Sequence, residues 1–209
     1  NELLAILGLL DVPKTNAAAA IHYFNESAIH TSMITGDNLG TAKAIATQVG
    51  LSAFHAGCTP EEKTALIKQE QIKYQTNAMV GDGVNDAPAL ATATLGIAMG
   101  KGTDIAIDVA DLVLMNSDLD KLVYSHRLSL KLKRIIKQNI VFSVGVIVLL
   151  ILSNFLQFLN LPFGVIGHEG STILVILNGL RMLQPLAPLK NDDSKRCTPC
   201  PLYQAAITH

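Results

Sequence analysis

The first 118 residues combine two patterns of apolar and polar positions. Three segments repeat apolar residues at helical spacing, and short apolar runs that end in polar turns alternate with them. The predicted helices cover 17–25, 41–49 and 60–71, and the predicted strands lie in TSMITGDN, 51–54, 78–80, LGIAMG and DLVLMN. Strands alternating with helices indicate an α/β fold with a parallel sheet, whose binding sites lie at the carboxyl ends of the strands.

The pattern changes after Asp118. Residues 119–138 mix six Lys and Arg side chains with apolar residues, which predicts a basic amphipathic connecting helix. Residues 139–159 carry no charge and are long enough, at ~1.5 Å per residue, to cross roughly 30 Å of hydrocarbon. Residues 161–183 form a second candidate span. Basic residues flank the outer ends of both spans, so the positive-inside rule predicts a hairpin with both ends cytoplasmic.

These segments define the predicted organisation of the chain. An α/β domain covers 1–118, the connecting helix 119–138, and two transmembrane helices 139–183. Residues 184–209 are rich in Pro and polar residues, which predicts a disordered cytoplasmic tail.

Composition supports a membrane part and excludes one class of partner. Of the 209 residues, 49% are hydrophobic and only 16% charged, and the mean hydropathy of +0.35 is too high for an ordinary soluble domain. A net charge of −1 and a pI near 6.6 give no basic face for nucleic acid. Three cysteines, Cys58, Cys197 and Cys200, form no disulfide framework, which favours a reducing compartment. We interpret the Cys197–Cys200 spacing as a chance pair, and we find no signal peptide.

The string MVGDGVNDAPAL contains the most specific chemical signal. An apolar run ends in a turn that carries two carboxylates, Asp82 and Asp86, and one amide, Asn85. Its glycines let the backbone approach a ligand closely. Oxygen ligands of this kind suit Mg²⁺, which typically binds one or two carboxylates together with a phosphate. The alternative is an acidic turn that only caps a helix.

Two weaker signals acquire meaning in combination with that string. In MITGDN, the turn of Thr35, Gly36 and Asp37 follows an apolar run, and its hydroxyl and amide groups can bind a phosphate oxygen. Lys63, in TPEEK, stands near a strong helix start and could neutralise phosphoryl oxygens, although a lysine there is more often a solvated surface residue.

A histidine and a glutamate interrupt the second apolar span. On a helix, His168 and Thr172 are four residues apart and share a face, with Glu169 just to one side. Ionisable residues in a membrane span are costly and usually functional. Imidazole and carboxylate together suit divalent cations such as Zn²⁺, Co²⁺ or Ni²⁺ better than Cu⁺. The alternative is that this part of the segment lies in headgroups or water.

Taken together, MITGDN, TPEEK and MVGDGVNDAPAL resemble the phosphorylation domain of P-type ATPases, members of the haloacid-dehalogenase-like superfamily. The resemblance extends from Leu9 to about Leu183. It implies a partial haloacid-dehalogenase-like, Rossmann-like parallel sheet followed by a two-helix transmembrane hairpin. It also implies that Thr35 and Lys63 contact the phosphoryl group, that Asp82 holds Mg²⁺, and that Asn85 and Asp86 complete the site.

HEGST followed by ILVILNGLR resembles the last membrane helix of the heavy-metal-transporting members, in particular the His-Glu-Gly-Gly-Thr subgroup associated with cobalt, zinc and related metals. Ser171 replaces the second glycine of that string. The resemblance implies that His168, Glu169 and Thr172 belong to the path of the transported metal. The Asp-x-Gly of the zinc/cadmium subgroup and the Met and Ser pattern of the copper subgroup are absent at this position.

The family's phosphorylated aspartate lies in an Asp-Lys-Thr-Gly-Thr string that this sequence lacks. We therefore predict the carboxy-terminal part of a multi-pass plasma- or inner-membrane pump for divalent metals such as Co²⁺ or Zn²⁺. ATP, membrane lipid and the missing actuator, nucleotide-binding and transmembrane parts are its expected partners. One alternative is a catalytically incomplete relic that binds metal or a partner subunit. Another is a membrane-tethered phosphatase, for which Asp11 lacks the required sequence context.

Overall fold

A computed structural model describes residues 13–14, 16–100, 103–115, 118–157 and 161–186. Its contacts divide the chain into two units, one that includes the residues up to Val123 and one from Tyr124 to Leu189. Positions 187–209, and with them most of the predicted tail 184–209 and the Cys197–Cys200 pair, lie outside the described residues, as does Asp11. The predicted domain boundaries stay predictions.

The first unit alternates strands and helices along the chain, as the apolar pattern predicts. Its elements in order are α1 (Ala17–Glu26), β1 (Ser32–Ile34), α2 (Leu39–Val49), β2 (Ala53–His55), α3 (Pro60–Tyr74), β3 (Ala78–Gly81), α4 (Ala87–Thr92), β4 (Leu95–Met99), α5 (Asp104–Val109) and β5 (Leu112–Leu114). A short 3-10 turn, Val84–Asp86, connects β3 to α4.

All strand pairs in the described residues are parallel, but the strands form two separate sheets. Strand β1 pairs with β2, and β3, β4 and β5 pair in that order. Within the described residues, the edge strands β1, β2, β3 and β5 therefore each lack a strand partner along one edge. The haloacid-dehalogenase-like parallel sheet expected from the sequence is present in these two parts.

Local side-chain chemistry explains where the helices begin and end. Thr59 and Glu62 form a reciprocal capping box at the start of α3, with Pro60 in its first turn. Asn38 caps α2 by accepting a hydrogen bond from the Thr41 backbone N–H, so α2 begins two residues earlier than predicted. Gly50 ends α2 in the left-handed conformation, as its position predicts.

The core of the first unit lies between the three-stranded sheet and the helices α3, α4 and α5. Ile67 of α3, Met79 of β3 and Leu90 of α4 belong to one buried cluster, and Ile34 of β1 packs against it. Because Ile34 and Met79 stand just before the polar turns that follow β1 and β3, this cluster holds those two turns in the same region of the fold.

The second unit consists of two helices. Helix α6 is a single helix, Leu119–Phe155, which leaves the first unit after Val123, and α7 covers Leu161–Leu180, with a 3-10 turn, Arg181–Leu183, after it. The predicted connecting helix and first span are thus one continuous helix. The helix continues across the change from basic to apolar residues because both groups contain residues that are compatible with helical backbone. The change affects only whether water or lipid is the preferred solvent around the helix.

Among the described residues, one helix, Leu119–Phe155, is long and apolar enough to cross a membrane. Only 6% of its most apolar 18-residue stretch is buried, whereas a core helix of a soluble protein would be covered. The second predicted span is a helix over Leu161–Leu180, and its placement in a membrane stays a prediction.

Two contacts set α6 and α7 side by side in antiparallel register. The side-chain amide of Asn178 donates a hydrogen bond of 2.7 Å to Oδ1 of Asn139. A Cβ at Gly167 would lie 3.4 Å from Leu150. Asn139 and Leu150 are eleven residues apart on α6, as are Gly167 and Asn178 on α7, so both contacts belong to one register.

Candidate functional site

The predicted phosphate-site residues follow the carboxyl ends of β1 and β3. Thr35 comes directly after β1, and Asp82 comes directly after β3. Since the carboxyl ends of parallel strands are where α/β folds bind ligands, the location agrees with the one that the motifs predict.

The Thr35 turn is held by hydrogen bonds within itself and to the loop before α3. The Thr35 hydroxyl donates to Asp37 at 3.0 Å and accepts from the Asp37 backbone N–H at 3.1 Å. The carbonyl groups of Thr35 and Asp37 accept from the backbone N–H groups of Cys58 and Gly57. The hydroxyl is therefore fixed in direction, and the turn is tied to the segment that leads to Lys63.

Lys63 and Asp86 form an ion pair, the structural feature of the site that the sequence alone does not predict. Lys63 Nζ donates to Asp86 Oδ1 at 2.8 Å, and the two side chains are only 14% and 16% exposed. The pair joins α3 to the 3-10 turn after β3. Because both charges are largely removed from water, each depends on the other for compensation. Lys63 is thus not a solvated surface lysine, and its contact with a phosphoryl group stays a prediction.

Gly81 provides the space that Asp86 occupies. A Cβ at Gly81 would lie 2.8 Å from Cβ of Asp86 and 3.0 Å from its Oδ2. The corresponding position at Gly83 meets nothing closer than 3.9 Å. The first glycine of Gly-Asp-Gly is therefore required by the side chain that binds Lys63, whereas the second is not required by close packing.

The donor groups fit Mg²⁺. Asp82 and Asn85 are exposed, and Asp86 is half-buried with its other oxygen beside Gly81. The Asp82 backbone carbonyl accepts from the Thr103 backbone N–H at 3.1 Å, which anchors the turn without using the carboxylate. No group of three or more His, Cys, Asp or Glu side chains converges in the described part of the chain. One or two carboxylates supplemented by a phosphate is the arrangement that Mg²⁺ typically adopts.

The predicted metal-path residues lie in the middle of α7. His168 Nδ1 lies 3.6 Å from Glu169 Oε1, and their side chains are 63% and 72% exposed. The Thr172 hydroxyl donates to the His168 backbone carbonyl at 3.2 Å, and the Ser171 hydroxyl donates to the same carbonyl at 2.6 Å. His168 and Glu169 are thus adjacent and accessible, while Thr172 is bonded to backbone and not to either side chain.

The exposed position of His168 and Glu169 contrasts with the helix face that packs on α6. The half-buried positions of α7 include Gly167, Ser171, Val175 and Asn178, which recur at helical spacing. His168 and Glu169 lie outside this face. Asn139 and Asn178, which form the polar contact between the helices, were not selected from the sequence. Their only sequence signal is that each is a polar residue at one end of an apolar stretch.

Comparisons with known proteins find similar proteins both by sequence and by structure. Residues 1–94 match the family model of the haloacid dehalogenase-like hydrolases. The chain is 54% identical over 184 residues to a zinc-transporting ATPase of Bacillus subtilis, covering 88% of this chain and 29% of the relative. It is 44% identical over 186 residues to a cadmium-transporting ATPase of Staphylococcus aureus, covering 88% of this chain and 26% of the relative.

Among solved structures, the fold matches the crystal structure of a zinc-transporting PIB-type ATPase in the E2.Pi state. The TM-score is 0.79 at 38% sequence identity, and the match covers 84% of this chain and 29% of that one. The chain thus spans less than a third of the length of these relatives.

Proposed function

Since this chain is homologous over most of its length to the zinc- and cadmium-transporting P-type ATPases, we propose that it is the carboxy-terminal part of an ATP-driven pump that exports divalent heavy-metal ions through an aspartyl-phosphate intermediate. The observation that carries the proposal is the Lys63–Asp86 pair beside the Asp82 turn, because it supplies a cation and metal-binding oxygens at the carboxyl ends of parallel strands.

The nucleophilic aspartate comes from a part of the pump outside this chain. Strands β1 and β3 each have one edge without a partner in the described residues. A strand that pairs along these edges would end beside Thr35 and Asp82. This arrangement would bring its aspartate to the polar turns, where the phosphoryl group is transferred.

The residues of this chain act on the phosphoryl group by position and charge. Mg²⁺, when bound, offsets negative charge on the phosphoryl oxygens, and the Asp82 carboxylate would hold it with Asp86 and Asn85 nearby. The amides around Gly36 would donate to phosphoryl oxygens, and the Thr35 hydroxyl would do so by turning its one hydrogen away from Asp37. An ammonium has three donors, so Lys63 can keep its bond to Asp86 and still bind a phosphoryl oxygen.

His168 and Glu169 form part of the path of the transported metal, and Thr172 lies one turn further along α7. Support comes from their exposure on a face of α7 that α6 leaves open, which other transmembrane helices of the pump would cover. Zn²⁺ is the ion common to the sequence prediction and to the names of the relatives, and Co²⁺ and Cd²⁺ are its nearest alternatives. The hairpin spans the membrane with both ends in the cytoplasm.

The transport function is tested by ATP-dependent uptake of Zn²⁺, Co²⁺ or Cd²⁺ into inside-out vesicles that contain the full-length protein. We expect uptake of at least one of these ions, and a loss of about tenfold or more in His168→Ala and Glu169→Gln, since ionisable side chains within a membrane span usually serve the substrate path. The matched control is Ile176→Ala, which truncates an exposed side chain two turns further along α7.

Two results would contradict the proposal in different ways. If uptake is equal in His168→Ala, Glu169→Gln and Ile176→Ala, the assignment of His168 and Glu169 to the metal path is wrong, but the transport function is still supported. A full-length polypeptide that transports none of the three ions with ATP would favour the alternative of a metal-binding relic or partner subunit.

A further inference from the structure

The second unit contains a cavity of about 390 Å³ between α6 and the segment that follows α7. Among the described residues, its lining includes the cationic side chains of Lys131, Arg134 and Arg181 and no carboxylate. Apolar side chains such as Leu130 and Ile135 form part of the same wall. The cavity thus combines concentrated positive charge with an apolar surface.

The described residues of the second unit offer few carboxylates that could neutralise Lys131, Arg134 and Arg181. Residues 124–186 contain six Lys and Arg side chains and one carboxylate, Glu169. Glu169 is twelve residues before Arg181, roughly 18 Å along a helix, which exceeds the ~8 Å screening length at physiological salt. Lys131 Nζ donates to the Gln184 carbonyl at 2.7 Å, and Arg181 donates to Oδ1 of Asn178 at 2.9 Å. These neutral acceptors orient the two cations without neutralising their charge.

The cavity lies at the level where the apolar part of α6 begins. Gln138 is its lining residue nearest to that part, and the next residue, Asn139, opens the uncharged stretch and bonds to α7. In a membrane, the start of an uncharged helical stretch is the level of the lipid headgroups. A phosphate of the lipid itself is therefore the anion that is present at this level in highest concentration.

We propose that this cavity binds the headgroup phosphate of an anionic phospholipid. The guanidinium groups of Arg134 and Arg181 can present paired N–H donors to phosphate oxygens, and basic pockets between membrane helices suit such headgroups. The apolar wall then contacts the start of the acyl chains. The inference rests on the proposed membrane insertion of the hairpin and is independent of the transported ion.

The test compares two double variants of the full-length protein that lose the same charge. Lys131→Gln with Arg134→Gln removes two cations that line the cavity. Lys133→Gln with Lys137→Gln removes two cations of the same helix that do not line it. After purification from membranes that contain phosphatidylglycerol and phosphatidylcholine, native mass spectrometry counts the lipids retained by each protein.

We expect the cavity variant to retain at most about one fifth of the phosphatidylglycerol that the unaltered protein retains. The amount retained by the control pair should stay within about twofold of the unaltered protein. Equal losses in the two variants would overturn the proposal, because they would indicate general surface charge. Displacement of the lipid by millimolar inorganic phosphate or glycerol phosphate would also overturn it, since the bound anion would then be soluble.

A measurement on the unaltered protein keeps the inference testable if the cavity variant does not fold. Short-chain phosphatidylglycerol and short-chain phosphatidylcholine are titrated onto the delipidated full-length protein. Tighter binding of the anionic lipid supports the proposal, and equal binding contradicts it. If the unaltered full-length protein transports no metal but still binds the anionic lipid more tightly, the proposed pump is contradicted and the lipid site is supported.

Discussion

At the scale of single residues, the site depends on a charge pair that no sequence pattern reveals. Lys63 and Asp86 are 23 residues apart and belong to different elements, so neither spacing nor periodicity connects them. The sequence did identify both as candidates, because each lies in a string typical of phosphoryl-transfer sites. What it could not supply was the contact, which depends on how α3 packs beside the turn after β3.

Replacing Lys63 by Met should reduce ATP hydrolysis by the full-length protein about 100-fold, because the substitution removes the cation at the phosphoryl site and leaves Asp86 without compensation. Steady-state phosphate release measures the effect. Lys68→Met is the matched control, since Lys68 is an exposed lysine of the same helix. A Lys63→Met variant as active as Lys68→Met would contradict the role assigned to Lys63.

Gly81→Ala should destabilise the first unit by about 1–3 kcal/mol, since its Cβ would overlap Cβ of Asp86, an atom next to the backbone. The variant and the unaltered full-length protein are compared by chemical denaturation, with loss of ATP hydrolysis as the measure of unfolding. Gly83→Ala serves as control because its Cβ would meet no atom closer than 3.9 Å. If the two variants unfold at the same denaturant concentration, the close approach at Gly81 does not determine the site.

At the scale of elements, the sequence predicts best where the determinants are local. The start of α3 follows from Thr59, Pro60 and Glu62, and the end of α2 follows from Gly50. Helix α2 begins earlier than predicted because Asn38 was assigned to the turn, although its side chain caps the helix. The contact between α6 and α7 depends on partners distant in sequence.

The hydrogen bond between Asn139 and Asn178 should stabilise the pairing of α6 with α7. A double-mutant cycle with Asn139→Ala and Asn178→Ala, measured on thermal inactivation of the full-length protein, should give a coupling of about 0.6–1.7 kcal/mol. Replacing Asn154, a polar residue near the other end of α6, by Ala should show no coupling to Asn178→Ala. Additive effects of Asn139→Ala and Asn178→Ala would exclude a direct contact.

At the scale of the whole molecule, the chain consists of an α/β unit and a unit of two helices. The described strands form two parallel sheets with open edges on β1, β2, β3 and β5, and His168 and Glu169 lie on an open face of α7. Under the proposed function, further segments of the pump would cover some of these surfaces. The motifs predict such segments, because a phosphoryl-transfer site without its nucleophile cannot turn over, and this stays a prediction.

The central claim is that this chain completes an ATP-driven pump for divalent metals, and the most direct test is formation of an acid-stable phosphoenzyme. The full-length polypeptide is incubated with labelled ATP and Mg²⁺, with Zn²⁺, Co²⁺, Cd²⁺ or Cu⁺ added separately, and is then quenched in acid. We expect label that depends on a divalent ion and is lost in Asp82→Asn, because the Mg²⁺ site would lose its carboxylate. Absence of label with every metal, or label that is independent of metal, would contradict the account.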